Sequence, residues 1–569
     1  MTPTAPAAPM PAAYDIYADA RKAASVIVLR DVPAGGVEVL MLRRAERDGD
    51  MRSGAAVFPG GVLDARDRDA HRHVLGWDDS VASQRLSLPA GGLDYLVAAV
   101  RECFEEVGLL YAQPVSADGA PRALTPSLAE AHAAWRGPMQ RGEQPVAALC
   151  EALGLQLDVR GWAYFSHWLT PPGQPRRFDT RFFVTRAPEG QHAEADYGEA
   201  VELMWLTPAA ALDPERGLKL LPVTRETLKL LGTFPTVQAA LDHAQAQAAV
   251  PLTMPRRAET ARGPRVVLPH ETCYAEVGRI DPAGLGGRAY ADIVPGRVVR
   301  LSPRVLRITA PNAGMMTGPG TNSYLVGDPA ANRWTVIDPG PDEASHREAL
   351  LAAAPGPIER ILVTHTHIDH SPGAVALSRA TGAPVLGRRP LHAAGQDASF
   401  DPAEELFGGE VLGLGPETSL HVVHTPGHAS NHLCYLLPEE RTLFTGDHVM
   451  QGSTVVINPP DGDMAAYLRA LEALYALDIE WFAPGHGFLV ARPHEVVRAL
   501  VRHRLGREAK VAAALAAAGP APLEGLVTRV YDDVPPGLHA VARRSLLAHL
   551  LKLEAEGRAR CVDGNWSGA

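Results

Sequence analysis

The sequence predicts a multidomain protein of mixed α/β and α+β class, and three observations support this. The chain has 569 residues, more than one hydrophobic core normally organises. Strand-like apolar runs alternate with helical patterns in two separate series, and helices follow the second series. The composition, with 46% hydrophobic and 21% charged residues, is typical of globular domains and excludes a fibrous or largely disordered chain.

Charge and cysteine usage narrow the function classes. A net charge of -11 argues against general coating of nucleic acid. The five cysteines are scattered and form no C-x-x-C pair, which excludes a disulfide framework or a thiolate zinc site. The Ala/Pro-rich start has no basic segment followed by an apolar core, and no apolar run could span a bilayer. We therefore expect a cytoplasmic protein with no membrane partner.

The first series of elements predicts an N-terminal domain over residues 20–275, after a disordered lead-in over residues 1–19. It opens with the strand-like runs "ASVIVLR" and "VEVLMLRR" on either side of a glycine turn. A helix over "LDYLVAAVRECFEEVGLL" follows, with Gly108 as its stop signal. The stretch beyond the last helix drifts in composition, and residues 276–300 are predicted to be a linker.

The second series, residues 301–497, alternates strand and helix in the manner of a layered α/β domain. Residues 498–569 differ: their order of helix, helix, longer helix and short terminal ribbon suits a small winged-helix domain. This tail has eleven Lys or Arg and seven Asp or Glu residues. The helix with Arg543, Arg544 and Lys552 could present a basic face that attracts single-stranded RNA. Alternatively, this helix could be a solvated element that closes the domain and through which the protein forms a homodimer.

A histidine-rich loop, "VTHTHIDH", ends one predicted strand of the second series, and three further segments carry similar chemistry. These are "HTPGHAS", "LFTGDHV" and "WFAPGHG", each placed after a strand-like run and beside glycine. Imidazole nitrogen and carboxylate oxygen are the ligands that zinc or another borderline divalent ion accepts. The segments together supply seven candidate ligands: His365, His367, Asp369, His370, His428, Asp447 and His486.

The spacing within the loop divides these residues into two sets. His365 and His367 project the same way from an extended segment, while Asp369 and His370 lie in the following turn. We assign His365, His367 and His428 to one zinc ion, and Asp369, His370 and His486 to a second. Asp447 could bridge both ions, which predicts a dinuclear site that activates hydroxide, with Asp369 and Asp447 as catalytic residues.

This set of motifs resembles the metallo-β-lactamase superfamily, from about residue 301 to 497. The resemblance implies an αββα sandwich with a dinuclear site and the ligand roles assigned above. The pattern "MTGPGTNSYLV", "THTHIDHSPGA" and "TPGHASNH", with the tail "LHAVARRSLLAHLLKLEAEGRA", is similar to the lactamase-like endoribonuclease group. Antibiotic-destroying lactamases have cysteine where this chain has Asp447, so antibiotic hydrolysis is not expected.

The resemblance predicts hydrolysis of a phosphodiester, with single-stranded RNA as the substrate. A thioester or ester hydrolase of glyoxalase II type is the alternative, because the same ligands serve attack on a carbonyl. An iron-dependent oxidation is a third option, and the native metal could be Zn, Fe or Mn. Asn322 is expected at most to support the site. The other nearby histidines, His392, His432 and His448, are expected to be surface or structural residues, although the last two could touch substrate.

The helix in the first domain carries three glutamates on one face, Glu102, Glu105 and Glu106. Such a face is either a solvated acidic surface or a site for a hard cation, Mg²⁺ or Mn²⁺, that is bridged to substrate phosphates. With Arg101 and Gly108 it resembles the second half of the Nudix box, and "FPGG" resembles its approach, which implies an α/β/α sandwich.

The box is interrupted, because 33 residues separate Asp67 from Arg101. This interruption resembles the subgroup with coenzyme A diphosphatases, and it implies hydrolysis of a nucleoside-diphosphate derivative, with Glu105 and Glu106 as catalytic residues. The substrate would be a nucleotide or a coenzyme A-type molecule. The competing hypothesis is a domain that binds such a ligand without turnover.

Overall fold

A computed structural model of the protein describes residues 15–46, 53–114, 126–195, 200–284 and 287–569. Contacts divide the chain into two compact units, residues 1–255 and 256–569. The lead-in predicted for residues 1–19 lies outside the described residues as far as residue 14. No helix in the described part of the chain is long and apolar enough to cross a membrane.

The N-terminal unit is built on a mixed sheet with the strand order β11-β3-β2-β1-β9-β8-β12, in which β10 also pairs with β2 and β4 with β1. A smaller sheet has the order β5-β7-β6. The strands are β1 (Ala20–Asp31), β2 (Val37–Arg44), β3 (Ala55–Val57), β4 (Gly60–Val62), β5 (Val74–Leu75), β6 (Ala112–Pro114), β7 (Leu155–Asp158), β8 (Ala163–Leu169), β9 (Arg177–Arg186), β10 (Ala200–Leu206), β11 (Lys219–Leu220) and β12 (Leu252–Thr253). The helices are α1 (Asp79–Arg85), α2 (Gly92–Val107), α3 (Pro126–Gln140), α4 (Val146–Leu153), α5 (Pro208–Leu212), α6 (Pro222–Leu231) and α7 (Val237–Ala246).

Helices cover both faces of this sheet, as the predicted α/β/α sandwich requires. Alternate residues of a strand point to opposite faces, so the apolar run in β1 supplies two cores. Val26 and Val28 pack with α2, whereas Ile27 and Leu29 pack in a second core with α6 and α7. Helix α2 ends where predicted, with Gly108 in the left-handed conformation that stops a helix.

The C-terminal unit contains two larger sheets, with the orders β15-β16-β17-β18-β19-β20-β21 and β22-β23-β24-β25-β26-β27. The strands are β13 (Arg256–Ala258), β14 (Arg265–Val267), β15 (Val298–Arg300), β16 (Val305–Thr309), β17 (Asn322–Asp328), β18 (Arg333–Ile337), β19 (Ile358–Leu362), β20 (Val385–Gly387), β21 (Glu404–Glu405), β22 (Val411–Gly415), β23 (Thr418–His424), β24 (Leu433–Leu437), β25 (Thr442–Gly446), β26 (Trp481–Pro484), β27 (Val490–Ala491), β28 (Ala521–Pro522), β29 (Ala559–Val562) and β30 (Asn565–Gly568). The helices are α8 (Tyr274–Ile280), α9 (Ala344–Ala353), α10 (Gly373–Thr381), α11 (Met464–Ala473), α12 (Pro493–Ala518), α13 (Leu523–Val530) and α14 (His539–Ala555).

Three cores define the αββα layering of this unit. One lies between the two sheets and contains residues such as Tyr324, Phe444 and Tyr435. A second lies under α9 and α10, and a third under α11 and the start of α12. The predicted sandwich is therefore present, and strand ends from both sheets meet at one edge.

A small domain of helices and a three-stranded sheet, β28-β30-β29, follows at the C-terminus with a core of its own. Its predicted start at residue 498 falls inside α12, which runs unbroken from Pro493 to Ala518. Val497 packs in the core under α11 together with Ala548 of α14. The longest helix of the tail is α12, and the predicted "longer helix" α14 is shorter.

The segment predicted to finish the first domain and to link it to the second is folded into the C-terminal unit. Ala258 and Val267 of β13 and β14 pack with Phe488. In α8, Glu276 is completely buried and forms a two-pronged ion pair with buried Arg307, at 2.6 and 2.9 Å. Sequence reasoning missed this because the two charges that hold the segment in place are 31 positions apart.

Candidate metal centre

The seven residues predicted as ligands converge at one edge of the αββα sandwich. Their ligand atoms fall into two groups, each with all atoms within 4.8 Å of one another. The groups are His365, His367 and His428, and Asp369, His370, Asp447 and His486. This is the division that the sequence predicts, with Asp447 counted in the second group.

In the first group the three imidazoles meet through ring nitrogens. Nδ1 of His367 lies 2.9 Å from Nε2 of His365 and 3.0 Å from Nε2 of His428. Burial and the charge of neighbouring His428 lower the pKa of His367 to about 3, and burial also holds the pKa of His365 well below its usual range. His365 and His367 therefore present neutral nitrogen lone pairs, which is the form of histidine that binds a metal.

In the second group two carboxylates surround two imidazoles. Nε2 of His370 lies 3.4 Å from both Asp369 and Asp447, and Nε2 of His486 lies 3.3 Å from both. Burial disfavours the charged imidazole, but Asp447 and Asp369 outweigh it and raise the pKa of His486 to about 9. The pKa of Asp447 is held well below its usual range by His486 and His370, against the effect of burial. The carboxylates thus make this group attract positive charge.

Asp447 lies between the two groups. Its Oδ1 atom faces His370 and His486, and its Oδ2 atom lies 3.7 Å from Nε2 of His428. Neighbouring Gly485 allows this approach, since a Cβ atom there would lie 2.8 Å from Oδ1 of Asp447 and from a ring carbon of His370. One carboxylate therefore reaches both sets of nitrogens.

The outward-facing nitrogens of the ligand histidines are held by hydrogen bonds. The Nδ1 atoms of His428 and His486 pair with the carbonyl oxygens of Val456 and Gly320, at 2.7 and 3.1 Å. Such bonds fix the tautomer and leave Nε2 free to bind a cation. The same pattern holds for His370, whose Nδ1 lies 2.8 Å from Asp338.

Sequence reasoning missed Asp338, although it follows β18 directly. This buried carboxylate also accepts hydrogen bonds from the backbone N–H and the hydroxyl of Thr364, at 2.7 and 2.8 Å. It has a left-handed backbone conformation, with φ of 52°. An acid in a strained turn after a strand is the signal in "VIDPG" that could have identified it.

The remaining residues singled out in the sequence have supporting positions. Asn322 donates to the carbonyl oxygens of Pro484 and Gly487 on either side of His486. His432 accepts from the backbone N–H of Asp447 at 3.2 Å and is fully buried, as is His448, so both have the structural role that was expected of them and neither is exposed to a substrate. His392 is exposed.

In the N-terminal unit the glutamates of α2 lie beside Arg101. Arg101 donates to Glu102 at 2.8 Å, to Glu105 at 3.3 Å and to Asp67 at 2.8 Å. Glu106 accepts instead from the backbone N–H of Gly60 at 2.8 Å. Among the described residues, the three glutamates do not converge as the seven C-terminal residues do.

A cavity of about 170 Å³ opens beside these residues, lined by Asp67, Arg101 and Glu105 among others. Burial raises the pKa of Glu105 to about 7. The two parts of the interrupted box also meet in the folded structure, because Asp67, before the insertion, forms an ion pair with Arg101, after it.

Family models match three parts of the chain. They are the metallo-beta-lactamase superfamily over residues 316–486, the NUDT19 Nudix domain over residues 78–216, and the beta-lactamase associated winged helix domain over residues 523–566. A lactamase-like protein, vrtG, of Penicillium aethiopicum is 31% identical over 46% of this chain and 84% of its own length. The chain belongs to the metallo-β-lactamase superfamily.

Two further relatives are similar to this chain. A beta-lactamase-like protein 2 homolog of Drosophila melanogaster is 28% identical over 46% of this chain and 92% of its own length. An atrochrysone carboxyl ACP thioesterase of Aspergillus fumigatus is 31% identical over 38% of this chain and 66% of its own length. The protein is thus a metallo-β-lactamase-fold hydrolase preceded by a Nudix domain and followed by a winged helix.

Proposed function

We propose that the metallo-β-lactamase unit hydrolyses an acyl thioester at a site that holds two divalent cations. The observation that carries the proposal is the position of Asp447, with one carboxylate oxygen toward each group of ligand nitrogens. A side chain in this position can share its charge between two cations about 3.5–4 Å apart, which is the arrangement of two-metal hydrolytic sites.

The donor set fits such cations. Nε2 of His370 and Nε2 of His486 are buried and face buried Oδ1 of Asp447 at 3.4 and 3.3 Å, and none of the three atoms forms a well-aligned hydrogen bond among the described residues. Buried polar atoms normally form good hydrogen bonds, so three converging atoms that lack one fit the binding of a cation. The mixture of nitrogen and oxygen donors suits zinc, and also iron or manganese.

Cations bound there would lower the pKa of water and polarise a carbonyl oxygen. The side chains of the protein position the ligands and the reacting groups. Asp447 and the histidines fix the position of attack, and their outward hydrogen bonds keep them from turning away. Asp369, with 22% of its side chain exposed against 11% for Asp447, is the more open carboxylate of the second group, through which the proton of the attacking water can pass to the departing sulfur. The new C–O bond forms at the acyl carbon, the C–S bond breaks, and the products are a carboxylate and a thiol.

An apolar rim around the site supports an acyl substrate. We define it as Met315, Met316, Ile368 and Leu391, which are 75, 49, 70 and 78% exposed. Ile368 lies between the ligands His367 and Asp369 in sequence. Met315 and Met316 shortly precede Gly320, whose carbonyl oxygen accepts from the ligand His486. The backbone N–H of Leu391 donates at 2.9 Å to Ser430, which lies two residues after the ligand His428. Exposed apolar side chains next to a polar site are typical of ligand-binding surfaces.

The tail offers less to RNA than its composition indicates. Arg543 pairs with Glu524 at 2.8 Å, and Lys552 pairs with Glu508 and Glu556. Of the three cations predicted to form a basic face, only Arg544 has no ion pair among the described residues. The relative named as a thioesterase supports carbonyl chemistry further. Hydrolysis of single-stranded RNA stays a prediction that the same experiment tests.

For the N-terminal unit we propose magnesium- or manganese-dependent hydrolysis of a nucleoside-diphosphate derivative. The cavity beside Glu105 and Arg101 supports it, because a carboxylate and a guanidinium there could hold a cation and a phosphate. Binding of such a ligand without turnover is the alternative, and a screen of nucleotide diphosphate derivatives with Glu105→Gln as the control separates the two.

The thioester proposal is tested with purified full-length protein loaded with zinc. The substrates are octanoyl-N-acetylcysteamine and a fluorescent single-stranded RNA, each with and without EDTA. We expect EDTA-sensitive release of thiol, lost in Asp447→Ala and retained in Asp328→Ala, a change at a buried carboxylate of β17 away from the ligands. Cleavage of RNA alone, or thiol release that Asp447→Ala leaves intact, would refute the proposal.

A further inference from the structure

Helix α12 belongs to both folded parts of the C-terminal unit. Its start packs under α11, where Val497 shares a core with Ala548 of α14. Further along the helix, Arg507 donates to the carbonyl oxygen of Val530 at 2.6 Å and to the carboxylate of Asp533 at 2.7 and 3.1 Å. The helix is therefore fixed to the sandwich near its start and to the winged helix beyond it.

Between these two attachments lies Arg504, a buried arginine with no ion pair among the described residues. It is 3% exposed. Its guanidinium lies 5.5 Å from the centre of the ring of Tyr467 in α11, and it donates to the carbonyl oxygen of Val455. Burial of a charged group is costly unless hydrogen bonds and favourable contacts compensate it. Contacts with the sandwich, and not an acidic partner, thus compensate this buried charge.

The next carbonyl along the chain supports a candidate metal ligand. The carbonyl oxygen of Val456 lies 2.7 Å from Nδ1 of His428. Two successive carbonyls therefore accept hydrogen bonds from α12 and from the first ligand group. Residues 447–463, all of which the structure describes, form no helix or strand. Contacts of this kind, rather than a regular ladder of backbone hydrogen bonds, hold the segment in place.

We propose that Arg504 is a positioning residue for the metal ligand His428. By holding the carbonyl of Val455, it keeps the carbonyl of Val456 where the Nδ1–H of His428 can donate to it. The imidazole then stays turned with Nε2 toward His367, at 3.0 Å from its Nδ1. The proposal rests on the binding of a cation by the first ligand group. It gives the helix that leads into the winged helix a role in the metal centre, and this role needs no RNA.

The test measures zinc affinity in two backgrounds of the full-length protein. His486→Ala disables the second ligand group and leaves the first, whereas His367→Ala does the reverse. In the His486→Ala background, Arg504→Met should weaken the remaining zinc site about tenfold, the lower end of the range for groups that orient a ligand, because Arg504 acts through the backbone. In the His367→Ala background it should leave the affinity unchanged. Arg507→Met, at another buried arginine of the same helix, is the matched control and should alter neither site.

A second measurement needs no metal. In EDTA, the backbone amides of residues 451–463 should exchange hydrogen faster in Arg504→Met than in the parent protein, and at the parent rate in Arg507→Met. Arg504→Gln keeps a polar side chain, but its donor ends short of the Val455 carbonyl. It should therefore give the same pattern, and it replaces Arg504→Met if the thermal midpoint shows that the apolar variant does not fold.

Three results would overturn the proposal. They are unchanged zinc affinity on adding Arg504→Met to His486→Ala, equal weakening of the two ligand groups, and unchanged hydrogen exchange of residues 451–463. A parent protein that binds no zinc would refute the proposed metal centre and this role of Arg504 with it. Zinc binding without thioester hydrolysis would refute only the proposed substrate.

Discussion

Replacement of Asp338 by alanine should weaken metal binding at the second ligand group without touching a ligand. The carboxylate accepts three hydrogen bonds of 2.7–2.8 Å, from the backbone and hydroxyl of Thr364 and from His370. Its loss leaves the Nδ1–H of a completely buried imidazole without a partner and frees the ring to turn. Loss of such supporting bonds typically lowers metal affinity 10- to 100-fold, or about 1.4–2.8 kcal/mol.

The measurement is zinc affinity by competition with a chromophoric chelator, in which we expect two binding steps for the parent protein. We expect Asp338→Ala to weaken one step more than the other, because Asp338 contacts His370 directly and reaches the first group only through Thr364, whose hydroxyl lies 3.0 Å from Nδ1 of His365. Asp328→Ala is the matched control, since Asp328 is also buried and accepts backbone hydrogen bonds but contacts none of the seven residues. Equal zinc affinities in Asp338→Ala and the parent would refute the reasoning.

Three other predictions concern pH, substrate choice and folding. Burial raises the pKa of Glu105 to about 7, above the usual glutamate value of about 4.3, so in EDTA the folded N-terminal unit holds an extra proton between these values. Its thermal midpoint should therefore fall as pH rises toward 7, and Glu105→Gln should flatten that slope; an unchanged slope contradicts the assignment. Leu391→Ser should raise KM for an octanoyl thioester but not for an acetyl thioester. The control Val562→Ser, at a 60% exposed valine in the tail, should leave both KM values unchanged. Equal effects of Leu391→Ser on the two thioesters would argue against the apolar rim. Glu276→Ala should destabilise the C-terminal unit by about 3–5 kcal/mol in denaturant unfolding, because Arg307 stays buried without its partner, and a loss under about 1 kcal/mol would show that the charge finds another.

The sequence predicted the domain order and the grouping of the seven candidate ligands well. Four of the seven lie in one short loop, and the others follow strand-like runs, so local patterns sufficed to place them. Asp338 escaped notice because an acid after a strand is common and its partners, Thr364 and His370, are distant in the sequence.

Where sequence reasoning failed, the deciding contacts are long-range. The basic face of the tail was inferred from Arg543 and Lys552, and nothing local shows that Glu524 and Glu508 neutralise them. Residues 276–300 were likewise predicted to be a linker from their composition alone.

The buried pair of Glu276 and Arg307 decides where the polypeptide can be divided for study of its halves. A C-terminal fragment that begins at residue 301 would lack α8, and the guanidinium of Arg307 would be buried without its partner. A fragment that begins after β14 would lack Ala258 and Val267, which pack with Phe488. Expression of the lactamase-fold half in isolation should start no later than Arg256, and a shorter fragment that precipitates would say nothing about its chemistry.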